Sequence, residues 1–271
     1  MIATKRQSPQ TPGAASHVPR KRFSQNFLVD DSTIGAIVDA IGPHAGDNMV
    51  EIGPGLGALT VPLAAVVHPL HVVEIDRDLI ARLRQRFPDG QVVIHEGNAL
   101  EFDFTSLGSR LRVIGNLPYH ISTPILFHLA AFEAVLQDIH VMLQKEVVDR
   151  MVALPGSSPY GRLSVMLQYR FTLEKVLDVP PACFRPAPRV DSSVVRMLPA
   201  PHSPRARDEA LFGRVVAAAF AQRRKTLRNT LRNYLDDADF ERLGIASTAR
   251  AQELPVSSFL KMADDVADRR A

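Results

Sequence analysis

A single cysteine, Cys183, occurs in the 271 residues. The chain can therefore close no internal disulfide and build no cysteine-based metal cluster, as suits a reducing compartment. Its ordinary role is that of a small apolar filler, and no metal site is expected. Long apolar runs are missing as well. The longest charge-free stretch of interest, Val61 to Val73, contains Pro62, His68 and Pro69 and falls well short of the ~20 residues of a membrane span. No acidic residue precedes Asp30, whereas Lys5, Arg6, Arg20, Lys21 and Arg22 do. Pro9, Pro12, Gly13 and Pro19 break any helix in that stretch, and an apolar signal core is absent, which argues against secretion and against an amphipathic presequence. Residues 1–20 read as a disordered basic arm of a cytoplasmic protein.

What is present is the composition of a folded chain. Hydrophobic residues make up 46% and charged residues 23%, close to the average for globular proteins. A net charge of +3 is only mildly basic, so nucleic-acid binding has to be judged from where the charges sit. The length fits one large α/β domain with a smaller appendage.

Short β-rich runs alternate with helical-period segments through the first two thirds. The strand candidates are Asn48 to Ile52, Leu70 to Ile75, Gln91 to His95, Leu111 to Gly115 and Asp138 to Leu143. Leu59 to Val67, Leu79 to Phe87 and Pro124 to Val135 have the length and apolar spacing of helices. Such alternation predicts a parallel sheet with crossover helices, an α/β fold. No internal repeat is visible. Pro199, Pro201 and Pro204 fall within six residues and forbid both helix and central strand, which sets a domain boundary there. The expected organisation is a catalytic domain over 21–198 and a small helical domain over 199–271, with helical patterns at Asp208 to Phe220, Arg224 to Leu235 and Ser257 to Ala267.

After the first of these strands comes Glu51-Ile52-Gly53-Pro54-Gly55-Leu56-Gly57-Ala58, a glycine-rich turn opening a helix. Glycines there let the backbone turn tightly and approach a ligand. Gly53, Gly55 and Ala58 also satisfy the dinucleotide pattern, so the loop alone does not separate a nicotinamide enzyme from a methyltransferase. Glu74 lies 21 residues after Gly53, at the end of the next strand, where a carboxylate can accept both ribose hydroxyls of an adenosine. Asn98 stands where a side chain could reach an adenine edge, although an Asn at this place also caps loops.

The fourth strand runs into Asn116-Leu117-Pro118-Tyr119-His120, at the sheet edge where open α/β folds place ligands. An amine conjugated to adenine is a poor nucleophile; acceptors that pull its hydrogens out of the ring plane would aim its lone pair. The Asn116 side chain offers one carbonyl oxygen. Leu117, held extended by the proline after it, offers another. Pro118 adds no competing N–H, and Tyr119 supplies a ring on which an extruded base can stack. Further on, Pro180, Pro181, Pro186 and Pro188 stiffen a loop that could present Phe184 to the other face of that base, with Arg185 and Arg189 near phosphates.

Together these segments resemble the ribosomal RNA adenine dimethyltransferases, most closely their bacterial small-subunit branch. The likeness runs from Lys21-Arg22-Phe23-Ser24-Gln25-Asn26-Phe27-Leu28 through the glycine loop, Asn116 to Thr123, Gln144 to Val147, Tyr160 to Ser164 and the proline loop. It ends in Ala221-Gln222-Arg223-Arg224-Lys225-Thr226-Leu227-Arg228-Asn229. The resemblance implies a Rossmann-like class I methyltransferase fold and S-adenosyl-L-methionine as cofactor, bound by Asn26, Leu28, Gly53, Glu74, Asn98 and Asn116. It implies as substrate two adjacent adenosines in the 3′-terminal hairpin of small-subunit ribosomal RNA, free or in a pre-assembled small subunit, each methylated twice by a monomer. The chain departs from the usual pattern at Ser24, Asn98 and His120, which stand where glycine, aspartate and asparagine are common. An amide at 98 still accepts, without charge assistance.

Between Glu209 and Asp236 the chain holds Arg214, Arg223, Arg224, Lys225, Arg228 and Arg232 and no carboxylate. On a continuous helix Arg224, Arg228 and Arg232 would share one face opposite Leu227, Leu231 and Tyr234, a pattern suited to phosphates. Three other readings remain: a large-subunit methyltransferase, a ribosome-assembly factor with secondary methylation activity, and a nicotinamide dehydrogenase. The last would need a hydride-handling site after the fourth strand, for which an aromatic clamp is poorly suited.

Overall fold

A computed structural model describes residues 26–87, 90–200 and 203–269. The basic arm and the Lys21 to Gln25 part of the first motif, Ser24 included, lie outside the described residues.

The chain enters through a two-residue strand, β1 (Phe27–Leu28), and helix α1 (Asp31–Ile41). The carboxylate of Asp30 accepts the Thr33 N–H at 2.8 Å and closes the helix N-terminus. Strands and helices then alternate: β2 (Asn48–Ile52), α2 (Thr60–Ala64), β3 (Leu70–Glu74), α3 (Arg77–Arg86), β4 (Val92–Glu96), β5 (Leu111–Asn116), α4 (Ser122–Ala130) and β6 (Leu136–Gln144). The second half continues with α5 (Lys145–Met151), α6 (Arg162–Gln168), β7 (Phe171–Val179), β8 (Phe184–Arg185) and β9 (Ser192–Pro199). It closes with α7 (Glu209–Ala219), α8 (Leu227–Thr230), α9 (Asp237–Leu243) and α10 (Val256–Asp268).

Seven strands form one sheet in the order β4-β3-β2-β5-β6-β9-β7, with β9 antiparallel to both its neighbours and the other pairs parallel. The central strands β2 and β5 are covered on both faces and are almost continuously buried, as parallel strands are. After β2 the chain builds outward through β3 and β4, then returns to the other side of β2 with β5. A topological switch point therefore lies between the carboxyl ends of β2 and β5, where such sheets bind ligands. Gly115 is required at this junction, since a Cβ there would stand 2.8 Å from the Ile52 carbonyl oxygen.

The five strands read from alternation all form, within two residues at their ends. The antiparallel pair β7 and β9 was not anticipated. β7 is an edge strand carrying Glu174, Lys175 and Asp178. Such charges blunt an edge against further pairing and also dilute the apolar alternation by which strands are recognised.

One apolar core, around Leu111, Ile139 and Leu167, covers one face of the sheet; a second, around Ile37, Leu63 and Val72, covers the other. A third joins α7 and α10 to α6 through Tyr160, Val165 and Tyr169. The helical part beyond residue 199 thus shares its core with a helix of the preceding segment.

The basic helix expected over Arg224 to Leu235 does not form as one element. Only Leu227–Thr230 is helical, so Arg224 precedes the helix and Arg232 follows it. Tertiary hydrogen bonds override the periodicity: Leu227 donates its N–H to the Ala249 carbonyl at 2.9 Å and Arg228 to that of Ser247 at 3.0 Å. Leu227, Leu231 and Leu235 are nevertheless all buried.

Candidate active site

A cleft of about 320 Å³ opens over the carboxyl ends of β2, β3 and β5. Gly53, Glu74 and Asn98 line its sheet side, Asn26 and Leu28 come from the entering segment, and Asn116, Leu117, Pro118 and Tyr119 close it where β5 ends. Nine positions taken from distant parts of the sequence are thus brought together. The positive φ of Gly55, 59°, suits a residue without a Cβ, and the Phe27 ring lies 3.2 Å from where a Cβ would stand. The entering segment is thereby laid directly on the glycine turn.

Glu74 is 6% exposed. Its Oε1 accepts the backbone N–H groups of Ile75 and Asp76, each at 2.8 Å. Burial pushes its carboxyl above the ordinary value, opposed by the N–H groups of Asp76, Ile75 and Gly55. Beside it the Ile75 side chain is 50% exposed within the cleft, an apolar surface next to an acceptor, as a nucleoside requires. Asn98 holds its loop: Oδ1 accepts the Leu100 N–H at 3.1 Å and Nδ2 donates to Glu101 at 3.0 Å. Its side chain therefore has one lone pair of the oxygen left for a ligand.

At the β5 end, Asn116 Nδ2 donates to the Asn26 carbonyl at 3.2 Å. Among the described residues no group donates to its Oδ1, so the acceptor is free where the cleft meets Tyr119. The Leu117 N–H is spent on the Met142 carbonyl at 3.1 Å. Pro118, at φ −58° and ψ 130°, takes the extended form its ring favours and leads into a single turn, Tyr119–Ile121. The Tyr119 hydroxyl lies 2.7 Å from Ser192 Oγ. Burial raises the phenol pKa, and that hydrogen bond works against the rise.

Phe184 is not brought to the cleft. It is 1% exposed and packed in the second core. The proline loop contains strand β8, which pairs antiparallel with β1 so that Leu28 opposes Phe184. Side chains alternate along a strand, and here the phenyl faces inward while Arg185 faces solvent.

Three residues that the sequence reading did not single out shape the same place. Glu51, at the end of β2, is fully buried in the cleft floor; burial raises its carboxyl to about 7, against the hydrogen bond from Thr60 Oγ1 at 2.6 Å. Its only signal was its place directly before the glycine turn. Ile75 and Ser192 are the others. Among the described residues no three His, Cys, Asp or Glu side chains gather as a metal site, and no helix is long and apolar enough to cross a membrane.

The chain matches the family model for ribosomal RNA adenine dimethylase over residues 16–268. Ribosomal RNA small subunit methyltransferase A of Aromatoleum aromaticum is 60% identical over 93% of this chain and 96% of its own length. The protein of the same name from Chromobacterium violaceum is 55% identical over 95% and 99%. Among solved structures, a dimethyladenosine transferase from Plasmodium falciparum aligns with a TM-score of 0.74 at 24% identity, covering 87% of this chain and 95% of that one. The 23S rRNA methyltransferase ErmE aligns at 0.69 and 23% identity, covering 89% and 100%; both share the fold. With the cleft, the Asn116 to Tyr119 turn and the C-terminal helices spanned by one family model, the chain belongs to the ribosomal RNA adenine dimethylase family.

Proposed function

We propose that the chain dimethylates the exocyclic amines of two adjacent adenosines in the 3′-terminal hairpin of small-subunit ribosomal RNA, using S-adenosylmethionine, as a cytoplasmic monomer acting during ribosome assembly. The observation that carries this reading is the free Asn116 carbonyl oxygen, fixed by its own amide's bond to Asn26 beside the Tyr119 ring. Identity of 55–60% to proteins named for the small subunit supports the choice of subunit.

The cleft fits the cofactor. Glu74, a buried carboxylate, would hold the ribose, Ile75 would offer apolar surface to the adenine, and the Asn98 oxygen would accept from its edge. When bound, the cofactor supplies an electrophilic methyl on a sulfonium. The remaining work is done by this chain. Asn116 Oδ1 and the Leu117 carbonyl accept the two hydrogens of the target amine and turn its lone pair toward the cleft. Tyr119 stacks the base. The proton released on methylation passes to solvent, so positioning rather than a strong base carries the catalysis.

Arg150, Arg162 and Arg223 surround a second cleft between α5, α6 and the segment after α7. Arg223 is tied to the Ser158 carbonyl and to Gln252, while Arg150 and Arg162 have no side-chain partner among the described residues. With exposed Arg224, Lys225 and Arg232, they form a surface suited to phosphates. The test is methyl transfer from labelled cofactor to unmethylated small-subunit particles. The parent should turn over and Asn116→Ala should lose most of its turnover while binding the particle as the parent does. Undiminished turnover in Asn116→Ala at saturating substrate would remove the acceptor role.

A further inference from the structure

Ser192 presents a polar group where the pattern calls for an apolar one. It opens β9 in a run of four buried positions, is 0% exposed, and pairs on one side with Gln144 of β6 and on the other with Val179 of β7. The strand start is held further by the Lys145 N–H, which donates to the Asp191 carbonyl at 2.9 Å. A buried hydroxyl is costly unless it is hydrogen-bonded. Among the described residues the Ser192 hydroxyl has one partner, the Tyr119 phenol oxygen at 2.7 Å. Neighbouring Ser193 turns to the opposite face and donates to Asp178 at 2.5 Å.

Tyr119 needs such a partner if its ring is to be a fixed surface. Its backbone is set by a short turn, with the Ile121 N–H on the Pro118 carbonyl at 3.1 Å and the Ser122 hydroxyl on the Tyr119 carbonyl at 2.6 Å. These bonds leave the two side-chain torsions undetermined. The bond to Ser192 fixes the far end of the ring to a strand start that is paired on both sides.

We propose that Ser192 is a positioning residue: through the Tyr119 hydroxyl it locks the plane of the ring on which the target base stacks. The inference rests on the reading of Tyr119 as the base platform. A ring held at both ends gives up no side-chain freedom when a base arrives, so the tether acts on the reacting complex and not on recognition of the RNA as a whole.

Ser192→Ala and Tyr119→Phe break the same hydrogen bond from its two ends, the first removing the buried hydroxyl and the second leaving it in place without its partner. Each should lower kcat on unmethylated small-subunit particles by roughly tenfold, the range of one lost hydrogen bond. The KM for particles and the calorimetric affinity for S-adenosylmethionine should stay near the parent values. The double variant should be no slower than the slower single variant, because one bond is lost in all three. Tyr119→Ala, lacking the ring, should be slower than all of them. If Tyr119→Ala turns over like the parent, the platform reading fails. If it is impaired while Tyr119→Phe keeps the parent kcat, or if the two single losses multiply in the double variant, the tether fails although the platform stands.

Discussion

Two carboxylates share the floor of the cleft, and their surroundings assign them different work. Glu74 receives backbone N–H groups and is held ready as an acceptor. Glu74→Ala should therefore weaken cofactor binding by about 1 to 3 kcal/mol, measured calorimetrically, with RNA affinity unchanged. Glu51 is fully buried, with a carboxyl raised from 4.5 to about 7. A carboxyl raised on folding favours the folded state most at pH below its unfolded value, and that contribution is lost as pH rises through the folded one. Between pH 4.5 and 7 the parent should thus lose up to roughly 3 kcal/mol of stability on account of this group. Glu51→Gln, which can still accept from Thr60, should flatten the decline in urea unfolding across that range, and parallel curves for the two proteins would contradict the assignment. The sequence made Glu74, Asn98 and the Asn116 to Tyr119 turn legible because each occupies a set position after a strand. Glu51 and Ser192 were hidden because burial and partners, not spacing, give them their roles. Phe184 misled because a two-residue strand inside a proline-rich loop leaves no periodicity to read.

Elements written in local periodicity were foreseen, and those set by tertiary partners were not. β2 to β6 announce themselves as apolar runs bounded by turns, whereas α8 is cut short by hydrogen bonds to residues 247 and 249 that no local pattern contains. The junction of β2 and β5 is the element on which the site depends, since it sets both the glycine turn and Asn116. Gly115→Ala places a methyl 2.8 Å from the Ile52 oxygen, in backbone that cannot yield without parting the two strands. The expected cost is about 1 to 3 kcal/mol in stability, with a loss of cofactor affinity that Gly90→Ala, in a distant open turn, should not share. Chemical denaturation and calorimetry on the two variants decide it.

At the scale of the whole molecule, the sheet and the C-terminal helices are joined by the core that α6 shares with α7 and α10. Arg228 is engaged with Asp237 at 3.3 Å, whereas Arg224, Lys225 and Arg232 are exposed and have no ion-pair partner among the described residues. Replacing those three by Gln should shallow the slope of log particle affinity on log salt by about two to three, at roughly 0.7 to 0.9 per phosphate contact. Cofactor affinity and melting temperature should remain near parent values; an unaltered slope would place the RNA elsewhere. The most direct test of the whole account is to incubate the protein with isotopically labelled S-adenosylmethionine and, separately, unmethylated small-subunit particles, large-subunit particles and naked ribosomal RNA, then map the label by mass spectrometry. The account predicts two adjacent dimethylated adenosines in the 3′-terminal hairpin of the small-subunit RNA. Label confined to large-subunit RNA, or to bases other than adenine, would contradict it.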